Sequence, residues 1–232
     1  YDEDGYFLFE NAFTAGELAA VMAAIDPIEH EFEETLKSQY GGKLYIAEAD
    51  AITFTINLVL KSETLKAFSK HRVFADICHD TFGPAGRLYW DQAVYKKPGN
   101  PQEFPWHQDN GYTYTEPQQY LTCWVALTDA TTENGCPWVV PKLHRNGTLH
   151  HFVTPLGLAC LERPDGAVAV PAKAGDIVVL SSLTPHRTGP NLTDATRKAY
   201  ILQYAPDGAV IHSPDGKTQT PANDPDRQYR VE

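Results

Sequence analysis

Three features of the 232-residue chain predict a mainly β fold with helices gathered at its N-terminal end. Helix signals cluster in the first third. From residue 87 the hydrophobic pattern shifts to short β-branched and aromatic runs. Those runs are bounded by Pro, Gly, Asn and Asp, the residues that close turns. Regularly spaced strands with long connections imply a sandwich or barrel, capped by the earlier helices. No Ser/Gly-rich linker, long charge run or internal repeat divides the chain. One domain over 1–232 is therefore expected, with a helical part over about 1–86, a β core over about 87–206 and a coil tail over 207–232.

The first helix is announced by the capping box Thr14-Ala15-Gly16-Glu17. Apolar Leu18, Val21, Met22 and Ile25 follow at helical spacing, and Pro27 is the expected stop. The acidic stretch EHEFEE at 29–34 reads as a solvated helical face. Ser62 caps a second helix reaching Phe68, and a third runs from about Arg72 to Phe82, closed by Gly83-Pro84. The strands are RLYWDQAVY, YLTCWVAL, GDIVVLSS and RKAYILQYA. A hydrophobic content of 42%, with 11% aromatics, is enough for a sizeable core.

Composition narrows the partners. A formal net charge of −11 disfavours nucleic acid and anionic membranes. No apolar run approaches a membrane span, and YDEDGYFLFE does not read as a signal peptide. The four cysteines, Cys78, Cys123, Cys136 and Cys160, lack CxxC pairing and read as buried thiols of a cytoplasmic protein. Two Asn-x-Thr sequons, at Asn146 and Asn191, are common by chance. The chain carries no GxSxG, GxGxxG or Walker signature. Monomer and dimer both stay open.

The chemistry concentrates in FPWHQDNGY at 104–112. Nine His and 30 acidic residues in this length give about one His-x-carboxylate by chance, so His107-Gln108-Asp109 alone decides little. On a strand, however, residues i and i+2 share a face, which would aim His107 and Asp109 at one metal. Two imidazoles and one carboxylate on one face of an octahedron suit iron(II). The third ligand should be a His on a neighbouring strand. His30, His71 and His79 fall in helical regions, His212 in the tail, and His144, His150 and His151 in a polar loop. His186 follows the strand Gly175–Leu183 and opens PHRTGPN, where a structural role is an equally good reading for it alone. Arg197 favours the site. It opens the apolar strand KAYILQYA, which a hairpin-like return would set beside the strand carrying His186. A buried guanidinium needs an anion, and a bidentate carboxylate from a bound small acid would serve.

Together these residues resemble the phytanoyl-CoA dioxygenase family of iron(II)/2-oxoglutarate oxygenases. The matching pieces are DGYFLF near the start, WHQD at 106–109, the Trp124 strand, ENGCPWVVPKLHRNG at 133–147 and GDIVVLSSLTPH at 175–186. PHRTGPN follows, with Arg197 eleven residues after His186. TYTEP at 113–117 and DATTENG at 129–135 resemble the domain-containing subgroup of that family. The resemblance implies a double-stranded β-helix (a jelly-roll, cupin-like core) flanked by N-terminal helices. It implies an oxygenase with Fe(II), 2-oxoglutarate and O2, aided in vitro by ascorbate, that releases succinate and CO2. It assigns iron to His107, Asp109 and His186, and the distal 2-oxoglutarate carboxylate to Arg197 and Thr188. It adds Trp124 and Gln92 to the cosubstrate pocket, and Thr53 where relatives carry Lys.

Pro141-Lys142-Leu143-His144 replaces the family's PGSH, a segment expected to border the active-site mouth. Asp109 is intact, which argues against halogenation and makes hydroxylation of a small organic substrate the default. Tyr112, Tyr114, Trp90, Trp106 and Trp138 are candidates for an apolar substrate pocket, although aromatic residues are more often core. Lys96, Lys97, Lys142 and Arg145 are candidates for an anionic substrate group, against a default of surface solvation. Fold kinship does not license a CoA ester here. Two rivals remain: a cupin-like metalloenzyme without 2-oxoglutarate, which leaves Arg197 and Thr188 idle, and a non-catalytic jelly-roll binding module.

Overall fold

The computed structural model describes residues 1–83 and 85–232. Two antiparallel sheets stack face to face as a jelly roll, and neither closes on itself. The large sheet runs in the order Tyr6–Phe9, Ile177–Ser181, Leu121–Ala126, Arg197–Pro206, Gly86–Lys96, Ile52–Ile56, Ala47–Glu48 and Lys43–Leu44. Arg230–Val231 adds to the Gly86 end of the Gly86–Lys96 strand. The small sheet runs Val168–Ala169, Pro137–Val139, His186–Thr188 and Phe104–His107. All four strands expected between residues 87 and 205 are present with nearly the expected bounds.

Period-2 alternation assigns each residue of the large sheet to one of two cores. Leu121, Cys123, Val125, Tyr200, Leu202 and Tyr204 face the helices, where they pack on Leu18, Val21, Ile25, Phe68, Phe74 and Ile77. Trp124, Ala126, Val178, Leu180, Ala199 and Ile201 face the small sheet and meet Cys136, Val139 and Val170. The candidate site lies in this second layer. Among the described residues, no helix is long and apolar enough to cross a membrane.

The first helix spans Ala15–Gln39, capped as expected by Thr14 and Glu17, but it does not stop at Pro27. Proline removes one intrahelical donor and crowds the preceding turn. Anchoring beyond it explains why the helix continues. Leu36 is fully buried, Glu29 Oε1 lies 2.8 Å from Lys97 Nζ, and Glu33 accepts from Lys97 Nζ (2.9 Å) and the Asp50 amide (2.9 Å). Tertiary contacts commonly override local propensity in this way. EHEFEE is accordingly a solvated face only in part: His30, Glu31 and Glu34 are exposed, whereas Glu29 and Glu33 are buried. The two shorter helices, Glu63–Phe68 and Arg72–Phe82, fit their sequence bounds. Gly83 closes the latter at φ 103°, whereas Pro84 lies outside the described residues.

Two regions hold more strand than expected. Residues 1–86 contain Tyr6–Phe9, Lys43–Leu44, Ala47–Glu48 and Ile52–Ile56, all in the large sheet. Runs of two to five residues are too short for periodicity to register, and cross-strand partners specify them instead. The tail is not plain coil either. Val210–His212 pairs with Thr115–Glu116 and Gln219–Pro221, and Arg230–Val231 joins the large sheet.

Phe74 joins helix to sheet. It is fully buried, its ring centroid lies 5.6 Å from that of Phe13, and it stacks on Tyr204 at 5.3 Å. Phe74→Ala is expected to lower stability by about 3–5 kcal/mol with an unchanged denaturant slope. Guanidinium unfolding measures it, and a loss under about 1 kcal/mol would contradict this packing role.

Candidate metal centre

The small sheet brings the two imidazoles together. His186 is the direct register partner of His107, and their ring centroids are 4.2 Å apart. Strand pairing ends at His107, and Asp109 opens the short helical turn Asp109–Tyr112 rather than continuing the strand. Gln108 between them is nevertheless extended (φ −109°, ψ 141°), so Asp109 returns to the His107 side. The Gln108 side chain points back into protein. It donates to the Gly147 and Leu183 carbonyls and accepts from the Leu149 amide.

Asp109 Oδ1 lies 3.7 Å from Nε2 of both His107 and His186. One ligand atom from each residue falls within 4.8 Å of the others, and the set suits a divalent cation such as iron(II). Both rings have a defined tautomer. His107 Nδ1 lies 2.9 Å from the Pro105 carbonyl, and His186 Nδ1 lies 2.9 Å from the Thr184 carbonyl. A carbonyl can only accept, so Nδ1 carries the proton and the Nε2 lone pair faces the cluster. Burial, reinforced by the neighbouring His186, pushes the His107 imidazole well below its ordinary value. It is therefore neutral and available as a ligand. Asp109 Oδ2 accepts a close hydrogen bond from the Thr122 hydroxyl.

Arg197 enters from the opposite sheet. Its strand pairs with Gly86–Lys96 and Leu121–Ala126, not with the strand of His186 as the hairpin-like return suggested. The connection after His186 crosses from one sheet to the other, and an inward-facing position still aims the guanidinium between them. Arg197 is 1% exposed, and its Cζ lies 5.2 Å from the Trp124 ring. Nη1 reaches the Val94 carbonyl at 3.4 Å, whereas Nε and Nη2 have no partner among the described residues. No carboxylate of those residues pairs with it. Two orphaned donors on a buried cation fit a bound carboxylate.

A cavity of about 60 Å³ is lined by Gln92, Trp124 and Thr188 together with His107, Asp109 and His186; Arg197 does not line it but contacts two residues of its wall, Trp124 and Val94. A larger cavity of about 920 Å³ adjoins it and shares Gln92, His107 and Asp109. His107 and Asp109 thus sit on the boundary of both, and His186 lines the small one alone. Thr53 does not reach either one. On Ile52–Ile56, Ile52 and Phe54 face the small cavity, while Thr53 takes the helix side and donates to Glu29 Oε1 at 2.6 Å.

The remaining candidates divide. Tyr112 and Trp90 line the large cavity. Trp106 and Trp138 hold Arg187, whose Cζ lies 5.3 and 5.1 Å from their rings, and Tyr114 is exposed beside His212. Lys97, Lys142 and Arg145 engage Glu29 and Glu33, Glu3, and the Asp2 carbonyl, away from both cavities. Residues 141–144 do not border the cavities as expected. The Lys142 amide donates to the Asp4 carbonyl, and the His144 ring lies against Gly5. Sequence reasoning missed Thr122 and Gln203, and the cavity wall supplied from the tail by Ile211, Arg227 and Gln228. The inward face of KAYILQYA was the available signal for Gln203.

The sequence profile of the phytanoyl-CoA dioxygenase family matches residues 1–199. Phytanoyl-CoA dioxygenase domain-containing protein 1 of Bos taurus is 27% identical over 270 aligned positions, covering 94% of this chain and 92% of that protein. Phytanoyl-CoA dioxygenase of Arabidopsis thaliana is 33% identical over 115 residues, 47% of this chain and 41% of the plant protein. Among solved structures, the non-heme alpha ketoglutarate dependent carbocyclase SnoK from nogalamycin biosynthesis superposes with a TM-score of 0.76. It is 24% identical, with 100% of this chain and 94% of that one covered, and it shares the fold. The chain belongs to the phytanoyl-CoA dioxygenase family of iron- and 2-oxoglutarate-dependent oxygenases.

Proposed function

We propose that this oxygenase hydroxylates a small, largely apolar organic substrate bound in the large cavity, with His107, Asp109 and His186 holding iron(II). One observation carries the reading: a two-histidine, one-carboxylate cluster shares a cavity wall with Trp124 and Thr188, beside a buried guanidinium with two unused donors. Iron with 2-oxoglutarate and O2 supplies the oxidising chemistry, giving succinate, CO2 and a hydroxylated product. The chain's own groups bind, orient and shield. Arg197 receives the distal carboxylate of 2-oxoglutarate, Thr188 adds a hydroxyl, and Trp124 and Gln92 wall the cosubstrate. Aromatic side chains, among them Phe32, Phe54, Tyr89 and Trp90, form much of the substrate wall and exclude water. The cupin-like reading without 2-oxoglutarate gives Arg197 nothing to bind.

Lys96 supports an anion at the same place. It is the cross-strand partner of Arg197, 1% exposed, and pairs with no carboxylate among the described residues. Its Nζ donates to the carbonyls of Gln102 and Gly189 and lies 3.5 Å from Thr188 Oγ1. Burial, then Arg197 and Arg187, push its ammonium down to about 7. Arg197 and the partly protonated Lys96 make this end of the layer electropositive, and a bound anion would favour the charged form of Lys96. The buried thiols of Cys78, Cys123 and Cys136, with no disulfide among the described residues, favour a cytoplasmic setting.

The reading is tested by succinate release from purified protein supplied with Fe(II), 2-oxoglutarate, ascorbate and O2. Iron-dependent succinate is expected, and absence of both succinate and 2-oxoglutarate binding would overturn the reading. Asp109→Ala is expected to abolish that release, so retained iron-dependent turnover would remove Asp109 from the site. Arg197→Ala should raise the 2-oxoglutarate Kd tenfold or more, since charge-assisted bonds are worth about 1.5–3 kcal/mol each. An unchanged Kd by tryptophan fluorescence would move the anchor elsewhere. For Lys96, the unfolded chain binds more protons than the native one between pH 7 and the ordinary lysine range. Without 2-oxoglutarate, wild-type stability relative to Lys96→Met is therefore expected to rise from pH 7 to pH 9 by about a kcal/mol or more. Urea unfolding across that window measures it, and a flat difference would refute the depressed ammonium.

A further inference from the structure

We propose that Thr122 and Gln203 are positioning residues that commit one oxygen of Asp109 to the protein and leave the other to the metal. The proposal rests on the reading of His107, Asp109 and His186 as the metal triad. It concerns what aims the carboxylate, a role that the strand carrying His107 does not fill, because strand pairing stops two residues before Asp109.

The direction of the hydrogen bonds follows from the chemistry of the groups. An ionised carboxylate only accepts, so the single hydroxyl hydrogen of Thr122 goes to Asp109 Oδ2. With that hydrogen used, Thr122 Oγ1 is free to accept, and Gln203 Nε2 lies 3.2 Å away to donate to it. The result is a directed chain from Gln203 through Thr122 to Asp109. Thr122 and Gln203 are register partners on adjacent strands of the large sheet, and both are buried. Asp109 belongs to the turn that follows the small sheet, so the chain spans the gap between the sheets.

Its members divide between the two cavities. Thr122 lines the small one, Gln203 the large one, and Asp109 both. With Oδ2 held by Thr122, the carboxylate presents Oδ1, the atom 3.7 Å from each imidazole Nε2. A carboxylate free to turn could offer both oxygens and occupy a further coordination position. The Thr122 bond holds Oδ2, so that a metal bound here would meet Oδ1 alone. Because Gln203 also walls the large cavity, a substrate that moves its amide changes the hydrogen bonding behind the metal ligand.

Anaerobic titration of metal-free protein with Fe(II), and separately with Co(II) followed by its visible absorption, tests the proposal without substrate or turnover. Thr122→Val is expected to weaken metal affinity by about 10- to 100-fold and to alter the Co(II) spectrum. Thr122→Ser restores the hydroxyl and is expected to restore both, which a purely space-filling role of Thr122 would not require. Gln203→Leu keeps the hydroxyl but removes its donor, so a smaller loss in the same direction is expected. If Thr122→Val does not fold, Thr122→Ser and Gln203→Leu carry the test. A folded Thr122→Val, or Gln203→Leu, with wild-type affinity and spectrum overturns the proposal while the triad stands. Wild-type protein that takes up neither metal overturns the triad reading itself, and this proposal with it.

Discussion

The register of the small sheet, with His186 opposite His107, is the constraint on which the rest of the site depends. Slipping it by one residue would turn one imidazole away from the other, because side chains alternate across a strand. That register is held from both edges of the His186–Thr188 strand, by Phe104–His107 on one side and Pro137–Val139 on the other. The backbone carbonyls of Pro105 and Thr184, each two residues before its histidine, then set the tautomer of each ring. Local chain geometry therefore orients the imidazoles, whereas the carboxylate needs a partner from the facing sheet.

Charge is divided across the large sheet. On the helix side, Lys97 meets Glu29 and Glu33, and Lys198 meets Asp26. Between the sheets, Arg197 and Lys96 are buried with no acidic partner among the described residues. An unpaired buried charge is costly, so the two layers call for different complements. The helix layer is complete within the protein. On the proposed reading an anion from outside would complete the inter-sheet layer, and stability would then be tied to cosubstrate binding through linkage.

The tail contributes to the wall of the large cavity. The family profile ends at residue 199, whereas Ile211, Arg227 and Gln228 lie beyond it and line the large cavity. Arg227 is itself held by Asp224 at 3.0 Å. The candidate triad, Arg197 and Thr188 lie within the residues the profile matches, and part of the large cavity's wall comes from beyond them.

Much of this was legible in the chain. The change of period near residue 87 announced the sheets, the capping residues Thr14 and Ser62 announced two helices, and WHQD with PHRTGPN announced the cluster. These are local signals, carried by residues a few positions apart, and local periodicity reports that a strand has two faces. It does not say what each face meets. Thr53 falls on the helix side by a single step of the strand, Thr122 finds Asp109 only across the gap between sheets, and the helix passes Pro27 because Lys97 grips Glu29 and Glu33. By itself, the sequence determined the four long strands, the two shorter helices, the start of the first helix, the family and the candidate ligand types. The tertiary structure alone decided which side chains share a layer, because hydrogen bonds and ion pairs between distant segments depend on how the sheets stack.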